Sequence, residues 1–275
     1  MNYHSTEWFS EKLSYHYTEA ATIVPIQNIV CIAMQGSGNY GLDYKDSDFD
    51  SKCIITPPFK DIALNRKPLS TTHIRQNNEH IDLKDIRLYI QTFRKQNLNF
   101  LEILFTKYYY TPSSIFAAQW ERLVKNREAI AHMNPLRGFA SMKGIAAEKY
   151  HAMEHRYPTR LPLIEKFGYD PKQLHHLLRI DEFMKRFYNG ESYEDCLISD
   201  YPDYLIDIKK GLFDLDEARD IANTTMAEIE NLYSKAKETM NNKEDVKMVE
   251  LLEDVSYEIM RLSVENELGV IGSDY

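Results

Sequence analysis

The chain has 275 residues, 43% of them hydrophobic, and carries 42 acidic against 33 basic side chains for a formal charge of −9. That length can bury a substantial core, while three scattered cysteines, Cys31, Cys53 and Cys196, exclude a disulfide framework or a zinc cluster. No apolar run reaches membrane-spanning length, and the N-terminus lacks a basic segment leading into an apolar one, so a cytoplasmic protein with no membrane partner is expected.

The charge is unevenly spread. Residues 191–275 hold 22 acids against 8 Lys and Arg, a local charge of −14, which leaves +5 on residues 1–190. The first part is mildly basic and therefore compatible with a nucleotide or RNA partner, and the acidity belongs to the tail.

In chain order, residues 5–22 read as an opening helix. Asn28 to Met34 (NIVCIAM) is an apolar, β-branched run that reads as a buried strand, broken at once by Gly36, Gly38 and Gly41. A glycine turn after a strand lets backbone N–H groups approach phosphate oxygens, and Ser37 adds a hydroxyl to the same place. Asp48 and Asp50 follow in SDFD and lead into a second strand, Ser51 to Thr56, ended by Pro57 and Pro58. Alternation along an extended chain directs Asp48 and Asp50 one way and Phe49 toward the core. Two adjacent carboxylates repel unless a cation lies between them, and Mg²⁺ (or Mn²⁺) suits hard oxygen ligands that leave room for phosphates. Tyr40, inside the turn, can pack beneath the loop or lie beside a nucleotide.

Next, His80 to Leu83 (HIDL) reads as a strand with Asp82 between apolar residues. Asp85 is the competing carboxylate, but it precedes a helical pattern from Ile86 to Phe93 and reads as a helix-start residue. Helical patterns dominate from there: Arg137 to Arg156, closed by Pro158, then Pro171 to Asn189, with Asp170 as N-cap, Pro171 in the first turn and Gly190 after the end. Lys172, His176 and Arg179 share one face of that helix, which by itself is equally a solvated basic face. Two C-terminal stripes, from Ala218 to Ala236 and from Val246 to Leu262, read as core-packing helices, and the Asn241-Asn242 break predicts an antiparallel pair. Glu102 reads as a helix carboxylate with a local partner, and Tyr108 to Tyr110 as core or edge-strand packing. Neither the dinucleotide fingerprint nor the P-loop fits GSGNYG, which lacks the helix and the lysine those motifs need.

Gly36, Ser37, Asp48 and Asp50 together resemble the signature of the DNA polymerase β superfamily of nucleotidyltransferases: a Gly-Ser turn, a spacer and Asp-x-Asp, with a third carboxylate on a neighbouring strand, for which Asp82 is the favoured residue. The GSGNYGL turn is similar to the GSxxYGL variant of bacterial and phage-encoded predicted nucleotidyltransferases. NLNFLEILF (97–105) and KQLHHLLR, with Lys172, His176 and Arg179, resemble later motifs of that subgroup. The resemblance spans residues 28 to 190 and implies an α+β fold: a small mixed-sheet, polymerase β-like palm over residues 1–110, with an all-helical domain over 111–275.

The same resemblance implies an enzyme that moves an NMP from an NTP, with ATP the expected donor, to an acceptor hydroxyl. Asp48, Asp50 and Asp82 would be the catalytic and metal-binding carboxylates. Gly36, Ser37, Tyr40, Lys172, His176 and Arg179 would bind the nucleotide. The acceptor stays open between an RNA end and a protein, as in a protein AMP-transferase, and a small molecule also fits such a site. A noncatalytic nucleotide-binding or antitoxin-like module is the alternative outside enzymology.

Overall fold

The computed structural model describes residues 2–270. Helix α1 (Thr6–Ile23) starts where the Ser5 hydroxyl accepts the Trp8 N–H, and buries Phe9, Leu13, His16 and Ala20, a stripe at helical spacing. Five strands follow among short helices: β1 (Ile29–Gln35), β2 (Asp50–Ile55), α2 (Phe59–Ala63), β3 (Ser70–Ile74), β4 (His80–Asp85), α3 (Ile86–Arg94), α4 (Leu98–Leu101) and β5 (Tyr109–Tyr110). The rest is helical: α5 (Ser114–Lys125), α6 (Arg127–Ala131), α7 (Pro135–Ala152), α8 (Leu161–Phe167), α9 (Pro171–Tyr188), α10 (Tyr193–Leu197), α11 (Pro202–Lys209), α12 (Leu215–Thr239) and α13 (Val246–Glu267). The architecture is α+β, a small mixed sheet with a large C-terminal helical region.

The sheet order is β3-β4-β2-β1-β5. Strands β2 and β4 run parallel and the other neighbours antiparallel. Alternation separates two faces. On one, Ile32, Met34, Cys53, Ile55, Ile81 and Leu83 bury against α1. On the other, Val30, Ala33 and Ile54 join a core that continues through Trp120, Phe139 and Phe183 to Ile229 and Ile259 of the last two helices. Cys31, Cys53 and Cys196 are all buried free thiols.

The boundaries follow local chemistry. Asp85 caps α3 by accepting the Arg87 N–H at 2.9 Å, and Asp170 caps α9 by accepting the Lys172 N–H at 3.0 Å, with Pro171 in its first turn. The two C-terminal helices do not form the antiparallel pair that their sequence suggests. Helix α12 packs on α7 and α9, whereas α13 packs on α5 and α3. An apolar stripe requires that a face be buried but does not require that its neighbour in sequence bury it. Among the described residues no helix is long and apolar enough to cross a membrane.

Candidate functional site

The site begins where β1 ends. Gly36 has φ 95°, a conformation that glycine adopts without steric cost, and the chain then closes into a 3-10 turn over Ser37–Tyr40. That turn is held by Asn39 N–H to the Gly36 carbonyl at 2.9 Å, Leu42 N–H to the Ser37 carbonyl at 3.0 Å, and the Asn39 side-chain amide to the Met34 carbonyl at 3.0 Å. Gly38 must be small: a Cβ there would lie 2.8 Å from the Phe9 ring.

Antiparallel register brings the carboxylates to this turn. Asp50, the first residue of β2, lies opposite Gln35, the last of β1. Asp48 precedes the strand in the connecting loop, and Phe49 between them is buried against α1. The Ser37 hydroxyl donates to Ser47 Oγ at 3.4 Å, and Ser47 Oγ accepts the Tyr44 N–H at 3.0 Å, which ties the loop to the turn.

Lys172 reaches this loop from the first turn of α9: its Nζ donates to Asp48 Oδ2 at 3.2 Å. Burial pushes the Asp48 carboxyl up, but Lys172 and, behind it, Lys209 outweigh that and hold it below the ordinary value. Asp50 differs. Burial and the neighbouring Asp48 charge raise it, against the His80 N–H that donates to its Oδ1 at 2.8 Å. A carboxylate held ionised beside one that resists ionisation is a pair that a cation would relieve.

Lys209 carries no motif and was invisible in the sequence. It ends α11, lies over the Tyr44 ring at 4.6 Å and faces Asp48, Asp43 and Asp50. Burial and then the Lys172 charge bring its ammonium down to about 8. Two lysines from two helices therefore converge on the carboxylate loop. The only sequence hint was that Lys209-Lys210 breaks the acidity of the tail.

Arg179 and His176 share the α9 face with Lys172 but lie deeper. Arg179 is buried, with its guanidinium stacked 3.7 Å over the Tyr40 ring, and the charge of buried Glu102 attracts it. Burial pushes Glu102 up to about 8, against the pull of Arg179, the Gly36 N–H and Asn39. Tyr40 is buried too, so Tyr40, Arg179 and Glu102 brace the turn from behind. Burial, with His175 and the cations Arg179, Lys149 and Lys209 around it, holds the His176 imidazole well below its ordinary value and hence neutral at pH 7.

Asp82 faces the same side of the sheet as Asp50 but sits one pleat further along, opposite Lys52 rather than Asp50. Lys52 Nζ donates to its Oδ2 at 3.2 Å and the Thr72 hydroxyl to its Oδ1 at 2.6 Å. Among the described residues no group of three or more His, Cys, Asp or Glu side chains stands together as a metal-holding cluster. The carboxylates that the β1–β2 register brings to the turn are Asp48 and Asp50. This pair fits one hard cation whose remaining ligands come from a substrate. Asp82, the third carboxylate expected from the sequence, is ion-paired with Lys52 here, as Asp48 is with Lys172. No protein-family model and no curated protein matches the chain.

Proposed function

We propose that the protein is a metal-dependent nucleotidyltransferase that moves an NMP from an NTP, with ATP as donor, to an acceptor hydroxyl. One observation carries the reading: a Gly-Ser turn and two acidic side chains, Asp48 and Asp50, meet where β1 ends and β2 begins, and two lysines of separate helices, Lys172 and Lys209, close over them. A triphosphate needs this juxtaposition of backbone N–H groups, cations and a metal-binding carboxylate pair. Asp48 and Asp50 would hold Mg²⁺ or Mn²⁺, which supplies charge neutralisation and Lewis acidity at the phosphates when bound.

The chain's own groups do the rest. Ser37 and the N–H groups of its turn orient the outer phosphates, and Lys172 exchanges its contact with Asp48 for a phosphate oxygen. Lys209, already half-desolvated, gains a strong charge-assisted partner in the same way. Arg179, stacked on Tyr40, keeps the turn in shape from behind. In-line attack by the acceptor oxygen on the α-phosphorus then breaks the bond to pyrophosphate, and positioning together with charge stabilisation lowers the barrier.

The test is incubation of the purified protein with each α-labelled ribonucleoside triphosphate and Mg²⁺ or Mn²⁺, together with total RNA and total cell protein. Label should pass to an acceptor with wild type and not with Asp48→Asn or Asp50→Asn, while both variants keep the wild-type circular dichroism. Transfer by either folded variant would remove that carboxylate from the mechanism.

A further inference from the structure

Across the sheet from the turn, the same face carries a second polar feature. Strand β3 is the outermost strand, and Ser70 and Thr72 pair with Lys84 and Asp82 of β4. Paired residues share a face, so two hydroxyls, a carboxylate and an ammonium project together. They line a groove of about 230 Å³, in which Ser70 and Thr72 are exposed and Asp82 and Lys84 half-exposed.

Its surroundings are cationic: Lys52, Lys84 and Lys95 stand about the single carboxylate of Asp82. Asp82 is already matched by buried Lys52. Lys84 lies 3.9 Å over the Phe100 ring and Lys52 4.3 Å over the same ring, so two ammoniums share one aromatic wall. Among the described residues no carboxylate comes within ion-pair distance of Lys84 or of the exposed Lys95 nearby. Burial and the like charges of Lys52 and Lys95 lower the Lys84 ammonium and outweigh the attraction of Asp82, the one carboxylate among three lysines.

Resting on the nucleotidyltransferase reading, we propose that this β3–β4 groove is the acceptor subsite and that it takes the sugar-phosphate end of a single-stranded RNA. The two substrates would then approach Asp50 from opposite sides, the nucleotide from the β1 turn under Lys172 and Lys209, the acceptor from the β3–β4 side. Lys84 and Lys95, without a carboxylate at ion-pair distance, would hold backbone phosphates, while the Ser70 hydroxyl and the acceptor oxygen of Thr72 face the ribose. A protein side chain as acceptor needs no such cationic wall, which is why the charge favours RNA. The exposed edge strand leaves the groove open along its length for a chain to pass.

The experiment is fluorescence anisotropy of an end-labelled ribo-oligonucleotide titrated with the full chain without nucleotide or metal, over a series of salt concentrations. In parallel, binding of a fluorescent ATP analogue is measured with Mg²⁺. Wild type should bind both. Lys84→Glu with Lys95→Glu should weaken oligonucleotide binding about tenfold or more and reduce the slope of log affinity against log salt by about 1.4, at about 0.7 per lost phosphate contact. ATP-analogue binding should stay within about twofold of wild type by the same free-energy scale. Lys84→Gln with Lys95→Gln, which adds no repulsion, should show the same loss in milder form and guards against misfolding. An oligonucleotide that ignores both pairs of changes, or fails to bind wild type while the ATP analogue binds, would overturn the acceptor subsite and leave the nucleotide site standing; label found only on protein would do the same. Failure of the ATP analogue to bind wild type would overturn the enzyme reading and the subsite with it.

Discussion

At the scale of single residues, the lysine at the end of α11 has the most to reveal. The Lys209 ammonium, brought down to about 8 by burial and by Lys172, is charged at pH 7 and loses its proton a little above it. A bound triphosphate would favour the charged form, so nucleotide affinity is expected to fall as pH rises through 8 to 9. Lys209→Met should weaken nucleotide binding about tenfold at pH 7, the ~1.4 kcal/mol of a charge-assisted contact, and should flatten that pH dependence. Isothermal titration at pH 7 and 9 checks both. In the free protein the sign is opposite. The folded pKa lies below the unfolded 10.5, so Lys209 costs stability below pH 8, and the cost is relieved between pH 8 and 10.5. The same variant should therefore be more stable than wild type at pH 7, by a margin that shrinks toward pH 10.

Residue identity alone does not separate the three candidate groups of α9. Lys172, His176 and Arg179 share one face of a helix whose start Asp170 and Pro171 mark, and a solvated basic face fits that spacing equally. Folding divides them by depth. Lys172, in the first turn, overhangs the carboxylate loop, whereas Arg179, about two turns on, is buried behind Tyr40. The His175 Nδ1–H donates to the Leu205 carbonyl at 2.8 Å, and burial brings the imidazole down to about 3 and keeps it neutral.

At the scale of elements, end chemistry was readable and lateral packing was not. Asp85 and Asp170 cap the helices that their local sequence marks, because a cap needs only its own next three residues. The same holds for α12, where Asp214 and Glu217 form a reciprocal capping box: the Asp214 carboxylate accepts the Glu217 N–H at 2.9 Å, and Glu217 accepts the Asp214 N–H at 3.1 Å. Asp214→Ala should cost about 1 kcal/mol of stability, measured as a shift of the urea midpoint with unchanged slope. The partners of α12 and α13 were not readable, since an apolar stripe states that a face is buried and not what buries it. Pairing of sequence neighbours was the simplest expectation, and packing on separate surfaces overrode it.

At the scale of the whole molecule, one core runs from the inner face of the sheet to the last helix. Helix α13 is anchored near the far end of β2, where the Ser263 hydroxyl donates to Thr56 Oγ1 at 2.7 Å and the Asn28 side chain donates to the same oxygen at 3.0 Å. The C-terminal segment is thus part of what holds the sheet. Leu252→Ala, at a fully buried position of α13, should cost about 2–5 kcal/mol. Tryptophan fluorescence and circular dichroism should then follow one coincident unfolding transition in wild type and variant alike, and separate transitions would show that the sheet and the helices unfold as independent units.

What the sequence determined by itself was local: the β1 strand and the glycine turn after it, the Asp-Phe-Asp step with Phe49 inward, and the capped helix starts. Each depends on chain neighbours a few residues apart, where periodicity and backbone preference act directly. Tertiary structure decided which charges meet. Cross-strand register set Asp82 against Lys52 instead of Asp50, helix packing delivered Lys209 to Asp48 from 161 positions along the chain, and depth stacked a buried Arg179 on Tyr40. These outcomes depend on register and on the choice of packing partner, which composition and periodicity do not encode.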